Sequence, residues 1–476
     1  MASDQLLRST EWTGEWWLPG APSARIGGTL HYDPMRGVFL SLIGCFDEHA
    51  ASSPRGPRLI SGMLTDATPV TLYLTRWLSG GTTHRAKTQD CSDYWVVTAH
   101  TYDIDTAFVG LHCDSEDDLR FTDCSFTLSG MRQWLHKPSF TAQSSVENEG
   151  SVWDIHTHHE TLCSAHIDGG DTSIQLINHV LSDDGLHYFD LRAQPHLTLS
   201  ARTPRPFAYL RNRLQALRIL FSILQNQAAT ITSLMLQPAR AHSSPCAVYR
   251  RVAEPPNTES PSWFRVFLPW RRIHAHLPTL ISNWFATQEQ FEMLRYEYFA
   301  TQLASTGASD EGSFLILTQM LEGFHRHTVN QPLLPTDEFE RQCAVVAASL
   351  PHQQAPYLAR IIKDRLRYFN EPSFRSRLKD LFSSLDPAIV ARIAHDPAAF
   401  TQAVVDARNS LTHYTVPRTV LGPLEDPRGA TLRLKALLVA HLLTHCGVAS
   451  TAIAEGFQYD HEFQWATGGF HRTVVE

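Results

Sequence analysis

The spacing of apolar residues changes once along this chain of 476 residues, close to residue 205. Upstream of that point, short runs rich in Val, Thr, Phe and Tyr alternate with turn residues, which is typical of antiparallel strands. Downstream, apolar residues recur every three or four positions, as they do on one face of a helix. The pattern therefore predicts an α+β multidomain protein with a β-rich first part and a helical second part.

The first part predicts an antiparallel sandwich or a curved sheet. Two strand-like runs, 27–34 and 37–44, lie on either side of a turn at Asp33 and Pro34. Further runs, separated by turn residues, follow at 71–75, 94–100, 106–112, 119–128, 172–177 and 187–191. No long helical pattern interrupts these runs, so strands that follow one another can pair directly.

The second part predicts helices and sets the expected domain boundaries. Apolar residues at 207, 210, 214, 217, 220, 221 and 224 form one helical stripe, and the stretch 239–261, rich in Ala, Ser and Pro, indicates a loop. Two more stripes run through 314–324 and 434–442, with Gly447 as the expected C-cap of the latter. We predict a β-rich N-terminal domain at 1–204, a helical connector at 205–305 and an all-α helical bundle at 306–476.

Composition and charge limit the class of protein. Hydrophobic residues make up 43% and charged residues 18% of the chain, as in a soluble globular protein. The net charge of −8 indicates no general affinity for polyanions, so any nucleic-acid contact needs a local basic patch. The eight cysteines contain no CxxC pair, which argues against a zinc ribbon or disulfide framework and fits a reducing cytoplasm.

No targeting or membrane segment is expected. The N-terminus lacks a charged region followed by an apolar one, so the sequence predicts no signal peptide. The most apolar stretch, 434–454, is interrupted by Lys435, His441 and His445, which predicts a core helix rather than a membrane span. We therefore expect a cytoplasmic protein with no membrane partner.

The segment from Arg408 to His413 says most about function. A helix is predicted here because Asp396 can cap it, Pro397 suits its first turn and Pro417 prevents it from continuing far. At roughly 100° per residue, the residues 400, 404, 407 and 411 form the core-facing stripe. The residues 405, 408, 409, 412 and 413 then lie on the outer side of the helix.

The outer side of this helix carries residue types suited to a phosphodiester. Arginine can neutralise the charge of a pentacoordinate phosphate, and histidine can move a proton near neutral pH. Asn409 and His413 are four residues apart, so their side chains can touch. The R-x4-H pattern also arises by chance, so an exposed helix end with a surface arginine remains an alternative.

The division of the chain resembles the ApeA family of bacterial antiviral (abortive-infection) proteins, which have a β-rich N-terminal domain and a C-terminal HEPN ribonuclease domain. The N-terminal similarity lies in residues 15–19, 28–32, 41–44, 60–62 and 70–72. The C-terminal similarity lies in residues 314–324 and in the R-x4-H segment, 408–414. The resemblance implies a four- or five-helix bundle and a metal-independent endoribonuclease. It also implies a homodimer through the HEPN domains, in which two motifs share one cleft.

The resemblance also assigns roles to the motif. His413 is expected to act as general base or acid, Arg408 to stabilise transition-state charge and Asn409 to orient the imidazole or the phosphate. Glu322, on the first HEPN-like helix, is a candidate for reaching Arg408, although a plain surface glutamate is equally consistent. Asp406 points about 200° away from Arg408 and is expected to be a solvated acid.

The expected partners follow from the same resemblance. RNA is the expected substrate, with tRNA as one candidate, and an unknown phage-derived trigger is expected to act through the β-rich domain. No cofactor is expected, because the 2′-hydroxyl of RNA supplies the nucleophile. A catalytically silent HEPN fold that binds nucleotides or dimerises remains an alternative.

A basic cluster upstream of the motif is a candidate RNA-binding surface. Basic side chains can neutralise phosphates, and the aromatic residues 368, 369 and 374 between them can stack on unpaired bases. A solvated helix face is the alternative reading. The candidate residues are Arg360, Lys363, Arg365, Arg367, Arg375, Arg377 and Lys379.

Histidine clusters suggest a second, weaker hypothesis. The segment 153–166 contains His156, His158, His159, Cys163 and His166, and alternate histidines on a strand can share a metal. A metal-dependent hydrolase at this cluster is therefore an alternative function. The pair 441 and 445 also has ligand spacing on a helix, but it lies among core leucines. Partly exposed sheet histidines and packed helix histidines remain the simpler explanations, and we predict no metal site.

Overall fold

The computed structural model describes residues 4–46, 57–85, 95–137, 140–147, 150–185, 188–240, 243–252, 266–304, 309–329, 331–350, 356–366, 369–413 and 427–466. The chain divides into two compact units, Met1–Ala286 and Thr287–Glu476. The sequence places a connector at 205–305, whereas the structure assigns its larger part, up to residue 286, to the first unit.

The first unit is built mainly of antiparallel strands. Twelve strands form one sheet, and β8 and β9 form a separate hairpin. The strands are β1 (Thr10–Trp17), β2 (Ile26–Asp33), β3 (Gly37–Ile43), β4 (Leu59–Leu64), β5 (Pro69–Arg85), β6 (Trp95–Val109), β7 (Arg120–Leu128), β8 (Phe140–Glu147), β9 (Gly150–Thr157), β10 (Glu160–Ile167), β11 (Thr172–Gly185), β12 (Tyr188–Pro206), β13 (Ile231–Pro238) and β14 (Cys246–Tyr249). The first unit also contains the helices α1 (Met131–Leu135), α2 (Phe207–Gln225), α3 (Trp270–Ile273) and α4 (Leu277–Ala286).

Part of the large sheet closes into a barrel. Along the sheet the order β6-β3-β2-β1-β4-β5 is continuous, and β5 also pairs with β6, which completes the ring. The prediction of a curved antiparallel sheet is confirmed. Residues 95–100 and 106–109, from the two runs predicted as separate strands, belong to the single strand β6, because Tyr102 and Ile104 continue its buried face between them.

Alternating residues of the barrel strands fill its interior. Leu30 of β2 and Leu40 of β3 are fully buried, while their sequence neighbours face outward, as the two-residue period of a strand requires. The Trp16 ring also lies inside and leaves no space beside Gly62, where a Cβ atom would come within 2.3 Å of the ring. The close packing of this tryptophan therefore requires glycine at position 62.

The larger part of the predicted connector, residues 205–286, belongs to the first unit and adds strands to its sheet. Strand β13 pairs with β7 and with β14, and β14 pairs with β6, so these two short strands join the two parts of the sheet. Helix α2 matches the predicted stripe, and its Phe207 ring packs against Phe108 and Phe121 of the sheet. Pairing with strands distant in sequence explains why local periodicity misplaced the boundary.

All secondary-structure elements in the described residues of the second unit are helices, as predicted. Its helices are α5 (Gln288–Tyr298), α6 (Asp310–Thr328), α7 (Thr336–Ser349), α8 (Pro356–Leu366), α9 (Phe374–Ser383), α10 (Pro387–Ile393), α11 (Pro397–His413), α12 (Pro427–His445), α13 (Ser450–Tyr459) and α14 (His461–Ala466). A π-helical turn, Phe299–Leu303, follows α5.

Helix α12 is the central helix of this unit. Its predicted stripe, Leu434, Leu437, Leu438 and Leu442, is buried, and so are most residues on its other sides. A helix that is buried on nearly all sides must be enclosed by other parts of the protein. Helix α6 is one of the helices that pack against α12. Gly447 ends the helix with a φ of 86°, which confirms the predicted C-cap. In the part of the chain that the structure describes, no helix has both the length and the hydropathy needed to cross a membrane.

Candidate functional site

Helix α11 begins with the predicted cap and carries the candidate motif. The Asp396 carboxylate accepts hydrogen bonds from the backbone N–H groups of residues 398 and 399, each at 2.9 Å, and so caps the helix. Phe400, Val404 and Ala407 are buried on the inner side. Val405, which the sequence places on the outer side, is also buried, so the core face of this helix is wider than predicted.

Arg408 lies on the outer side of α11 and makes two contacts across the bundle. Its Nη2 atom is 3.8 Å from the Glu322 Oε2 atom on α6, and its side chain is 35% exposed. Its guanidinium group also lies 5.5 Å from the centre of the Phe374 ring on α9. An ion pair and a cation–π contact therefore hold this arginine while leaving part of it open to solvent. The contact with Glu322 agrees with the sequence expectation, whereas a supporting role of Glu322 in catalysis stays a prediction.

The other motif residues differ in how far the structure describes them. Asn409 is exposed, next to Arg408. Asp406 is half-buried and accepts a hydrogen bond from the Gln402 amide at 2.7 Å, a local contact along the same helix. His413 is the last residue of α11, and its side chain lies outside the described residues. The catalytic roles of Asn409 and His413 stay predictions.

Arg326 is a cation near the motif that sequence reasoning missed. Its Nη2 atom donates to the Glu322 Oε1 atom at 3.1 Å, and its Nη1 atom is 2.7 Å from the Glu371 Oε2 atom. The hydrogen bond to Glu322, followed by that to Glu371, raises the pKa of Arg326 above its ordinary value. The available signal was its position four residues after Glu322 on one helix, which places the two side chains side by side.

Arg377 corrects the predicted RNA-binding surface. Its side chain is only 3% exposed, and its Nε atom donates to the Pro372 carbonyl at 3.0 Å. Its Nη1 atom donates to the Nδ1 atom of the buried His325 at 3.0 Å, so the Nε2–H of that imidazole faces the Asp380 carboxylate at 3.1 Å. The prediction that Arg377 belongs to an exposed basic surface is wrong, because its guanidinium group is buried and donates to a backbone carbonyl and to the buried imidazole of His325.

We expect Arg377→Met to lower the free energy of unfolding by about 2–3 kcal/mol, because the buried imidazole of His325 loses its charged donor. Lys379→Met is the matched control: this exposed residue lies on the same helix, and its replacement should change stability by less than about 0.5 kcal/mol. Urea unfolding followed by circular dichroism measures both values. Equal stability of the two variants would contradict a structural role for Arg377.

The other predicted cations are placed as follows. Arg360, Lys363 and Arg365 are exposed on α8, and Arg375 and Lys379 are exposed on α9. Arg367 lies outside the described residues. Their contact with RNA stays a prediction, but five cations of the cluster are available to a ligand that approaches the second unit.

The histidine cluster of the first unit lacks a ligand arrangement. Cys163 is buried on β10, where burial raises the pKa of its thiol to about 11, whereas His166 of the same strand is exposed. His156, His158 and His159 are exposed, and the centre of the His159 ring lies 4.7 Å from that of the His179 ring. Among the described residues, no group of three or more His, Cys, Asp or Glu side chains is arranged to hold a metal ion.

The two histidines of α12 differ in burial: His441 is buried in the core of the second unit, whereas His445 is exposed. The His441 Nε2 atom hydrogen-bonds to the Leu381 carbonyl at 3.1 Å, and its ring lies 5.2 Å from that of Phe324. Burial lowers the pKa of His441 to about 4, so the imidazole is neutral at physiological pH. The His445 ring contacts Phe291, also at 5.2 Å. These contacts indicate a packing role for the pair.

The fold defines a class of protein in which a β-barrel-containing unit is followed by a helical unit. A family model described as Apea-like HEPN matches residues 315–452, which include Glu322, Arg326, Arg377 and the whole motif. A second model, described as ApeA N-terminal domain 1, matches residues 11–284, almost the whole first unit. The chain belongs to the ApeA family. No curated protein and no solved structure gives a significant match.

The family membership carries a functional expectation of its own. An Apea-like HEPN domain indicates a family of antiphage defence nucleases, and HEPN domains are generally ribonucleases. The match to ApeA N-terminal domain 1 ends at residue 284, close to the boundary between the two units at residue 286. The sequence resemblance to the ApeA family is thereby confirmed.

Proposed function

We propose that this protein is an antiphage endoribonuclease that cleaves RNA by attack of the substrate's own 2′-hydroxyl group. The observation that carries the proposal is the position of Arg408 on the outer side of α11, within the matched HEPN region. Its side chain contacts Glu322 of α6 and Phe374 of α9. A partly exposed guanidinium group held by two contacts is suited to stabilising charge on a phosphorane.

The chemistry divides between the motif residues. His413 removes the proton from the 2′-hydroxyl or protonates the leaving 5′-oxygen, a role worth about 10²–10⁴ in rate. Arg408 stabilises the negative charge that develops on the phosphorane, and Asn409 orients the phosphate or the imidazole. Glu322 holds Arg408 in position before substrate binds. No cofactor is required, because the nucleophile belongs to the substrate.

We assign substrate binding to the second unit and sensing of the trigger to the first. The exposed cations of α8 and α9 are suited to the phosphates of an RNA, with tRNA as one candidate substrate. The first unit offers a cleft of 780 Å³ on the outer face of its barrel, lined in part by Glu11, His31, Arg36 and Phe39. A phage-derived ligand bound there would act as the trigger in the bacterial cytoplasm.

Sequencing of RNA ends tests the proposal most directly. Cells that express the wild-type protein should, on phage infection, accumulate new RNA ends at defined positions that are absent from cells expressing Arg408→Ala. The Gln402→Ala variant is the matched control, since Gln402 is exposed on the same helix and lies outside the proposed site. Identical RNA ends in wild-type and Arg408→Ala cells would contradict the proposal.

We expect the active enzyme to be a homodimer formed through its HEPN domains. Arg408 and His413 lie about 140° apart around one helix. The two side chains of a single motif therefore point in different directions, and one motif is poorly suited to supply the base, the acid and the charge stabiliser at one phosphate. A two-fold axis beside α11 brings a second copy of both residues to the same cleft. Light scattering should therefore give the mass of a dimer at assay concentration.

A mixing experiment links the dimer to activity. Arg408→Ala and His413→Ala proteins, each inactive alone, should regain part of the cleavage rate when subunits exchange, because a mixed dimer keeps one arginine and one histidine in the cleft. A strictly monomeric enzyme with full activity would rule out this arrangement. A dimer that gains nothing on mixing would contradict a cleft in which one arginine and one histidine from different subunits suffice.

A further inference from the structure

Two arginines from different helices meet at a single carboxylate beside the motif. Arg408 of α11 lies 3.8 Å from one oxygen of Glu322, and Arg326 of α6 lies 3.1 Å from the other. All three side chains reach solvent: Arg326 is 47%, Arg408 35% and Glu322 24% exposed. The three side chains form an accessible site for one anion, and a carboxylate of the protein itself occupies it.

A phosphodiester matches this site in shape and charge. It carries one negative charge shared by two non-bridging oxygens, as a carboxylate does, and both groups are preferred partners of the planar guanidinium fork. Replacing the carboxylate with a phosphodiester leaves the charge of the site unchanged. The exchange therefore creates no unpaired charge, provided that Glu322 turns toward solvent.

Each arginine also has a contact that does not depend on Glu322. The Nη1 atom of Arg326 is 2.7 Å from Glu371, and the guanidinium group of Arg408 lies over the Phe374 ring. Both cations thus keep a partner when the glutamate leaves. Partly exposed ion pairs such as these contribute little to stability, so the exchange costs little.

We propose that Arg326 and Arg408 form a phosphodiester-binding subsite, and that the Glu322 carboxylate occupies this subsite until an RNA phosphate displaces it. The inference rests on the proposed ribonuclease function and deepens it in two ways. Arg326 becomes a substrate-binding residue, and Glu322 becomes a resident competitor that keeps the empty site neutralised.

Binding to an RNA that cannot be cleaved tests the subsite separately from catalysis. The probe is a fluorescent single-stranded oligonucleotide in which every 2′-hydroxyl is methylated, so that the phosphates remain and the nucleophile is blocked. Fluorescence anisotropy over a series of NaCl concentrations gives the affinity and its salt dependence. The variants are Glu322→Gln, Arg326→Met and Arg326→Lys, and circular dichroism verifies their folding.

We expect Glu322→Gln to bind the probe more tightly than wild type by about threefold to fivefold, because the competing charge is removed while the shape is kept. Arg326→Met should bind more weakly, and its plot of log affinity against log salt should be shallower by roughly 0.7, the value for one lost phosphate contact on a single strand. Arg326→Lys keeps the charge and should restore the wild-type slope. Arg392→Met is the control, since Arg392 is exposed on α10 and hydrogen-bonded to Gln458.

The possible outcomes separate the subsite from the ribonuclease function. If Glu322→Gln binds equally or more weakly, if Arg326→Met keeps the wild-type slope, or if wild type does not bind the probe, the subsite is refuted, even where unmodified RNA is cleaved. If the variants behave as expected and unmodified RNA is not cleaved, the subsite stands and the ribonuclease function fails.

Discussion

Arg408→Ala and His413→Ala are each expected to abolish detectable RNA cleavage while the protein remains folded. Loss of a general acid or base lowers a rate by about 10²–10⁴, and loss of a charge-stabilising donor lowers it by about 10²–10³. The fold should tolerate the arginine replacement, because Arg408 is partly exposed and its ion pair with Glu322 contributes at most about 1 kcal/mol. Cleavage of a labelled RNA by purified protein, together with a thermal melt, measures both effects.

The matched control for these variants is Gln402→Ala on the same helix. Gln402 is exposed and its side chain donates to Asp406 one turn further along the same helix, so its replacement should leave both cleavage and stability near wild type. A folded Arg408→Ala protein that cleaves at the wild-type rate would show that the proposed site is wrong. If the wild-type protein itself leaves RNA intact when its trigger is present, the silent HEPN module becomes the better explanation.

Cleavage is expected to persist in EDTA and to fail completely at any linkage that lacks its 2′-hydroxyl. The reaction uses this hydroxyl as nucleophile, and Arg408 meets the phosphorane charge that a metal ion would otherwise meet. An RNA with one 2′-deoxynucleotide at a mapped cleavage position should therefore be cut at its other sites and resist at that one. DNA should stay intact. Mass spectrometry of the products should find 2′,3′-cyclic phosphate or 3′-phosphate ends.

The control for this experiment is the all-ribose oligonucleotide of the same sequence. A magnesium-dependent ribonuclease treated with the same EDTA solution confirms that chelation is complete. Strict magnesium dependence with 3′-hydroxyl products would point to a different nuclease chemistry, and cutting at the deoxy linkage would exclude the internal nucleophile. Either result would leave the fold assignment intact and overturn the mechanism.

Local sequence signals determined helix α11 and the general division of the chain. Asp396, Pro397 and the spacing of Phe400, Val404 and Ala407 act within a few turns of one helix, so they could be interpreted without knowledge of any partner. The change of period near residue 205 likewise marked the start of helix α2, although strands β13 and β14 follow it. The family resemblance of residues 314–324 and 408–414 predicted the HEPN domain, which the family model confirms.

Only the tertiary structure decided which elements and charges belong together. Strands β13 and β14 belong to the first unit because they pair with β7 and β6. These partners lie more than a hundred residues earlier, and local periodicity holds no information about such pairing. Arg375 and Arg377 look alike in sequence, but only Arg377 is buried, because His325 of another helix offers it an acceptor. Arg326 and Arg408 both contact Glu322, although Arg408 lies on another helix. Contacts between helices set the environment of such a charge, and side-chain spacing along one helix cannot specify these contacts.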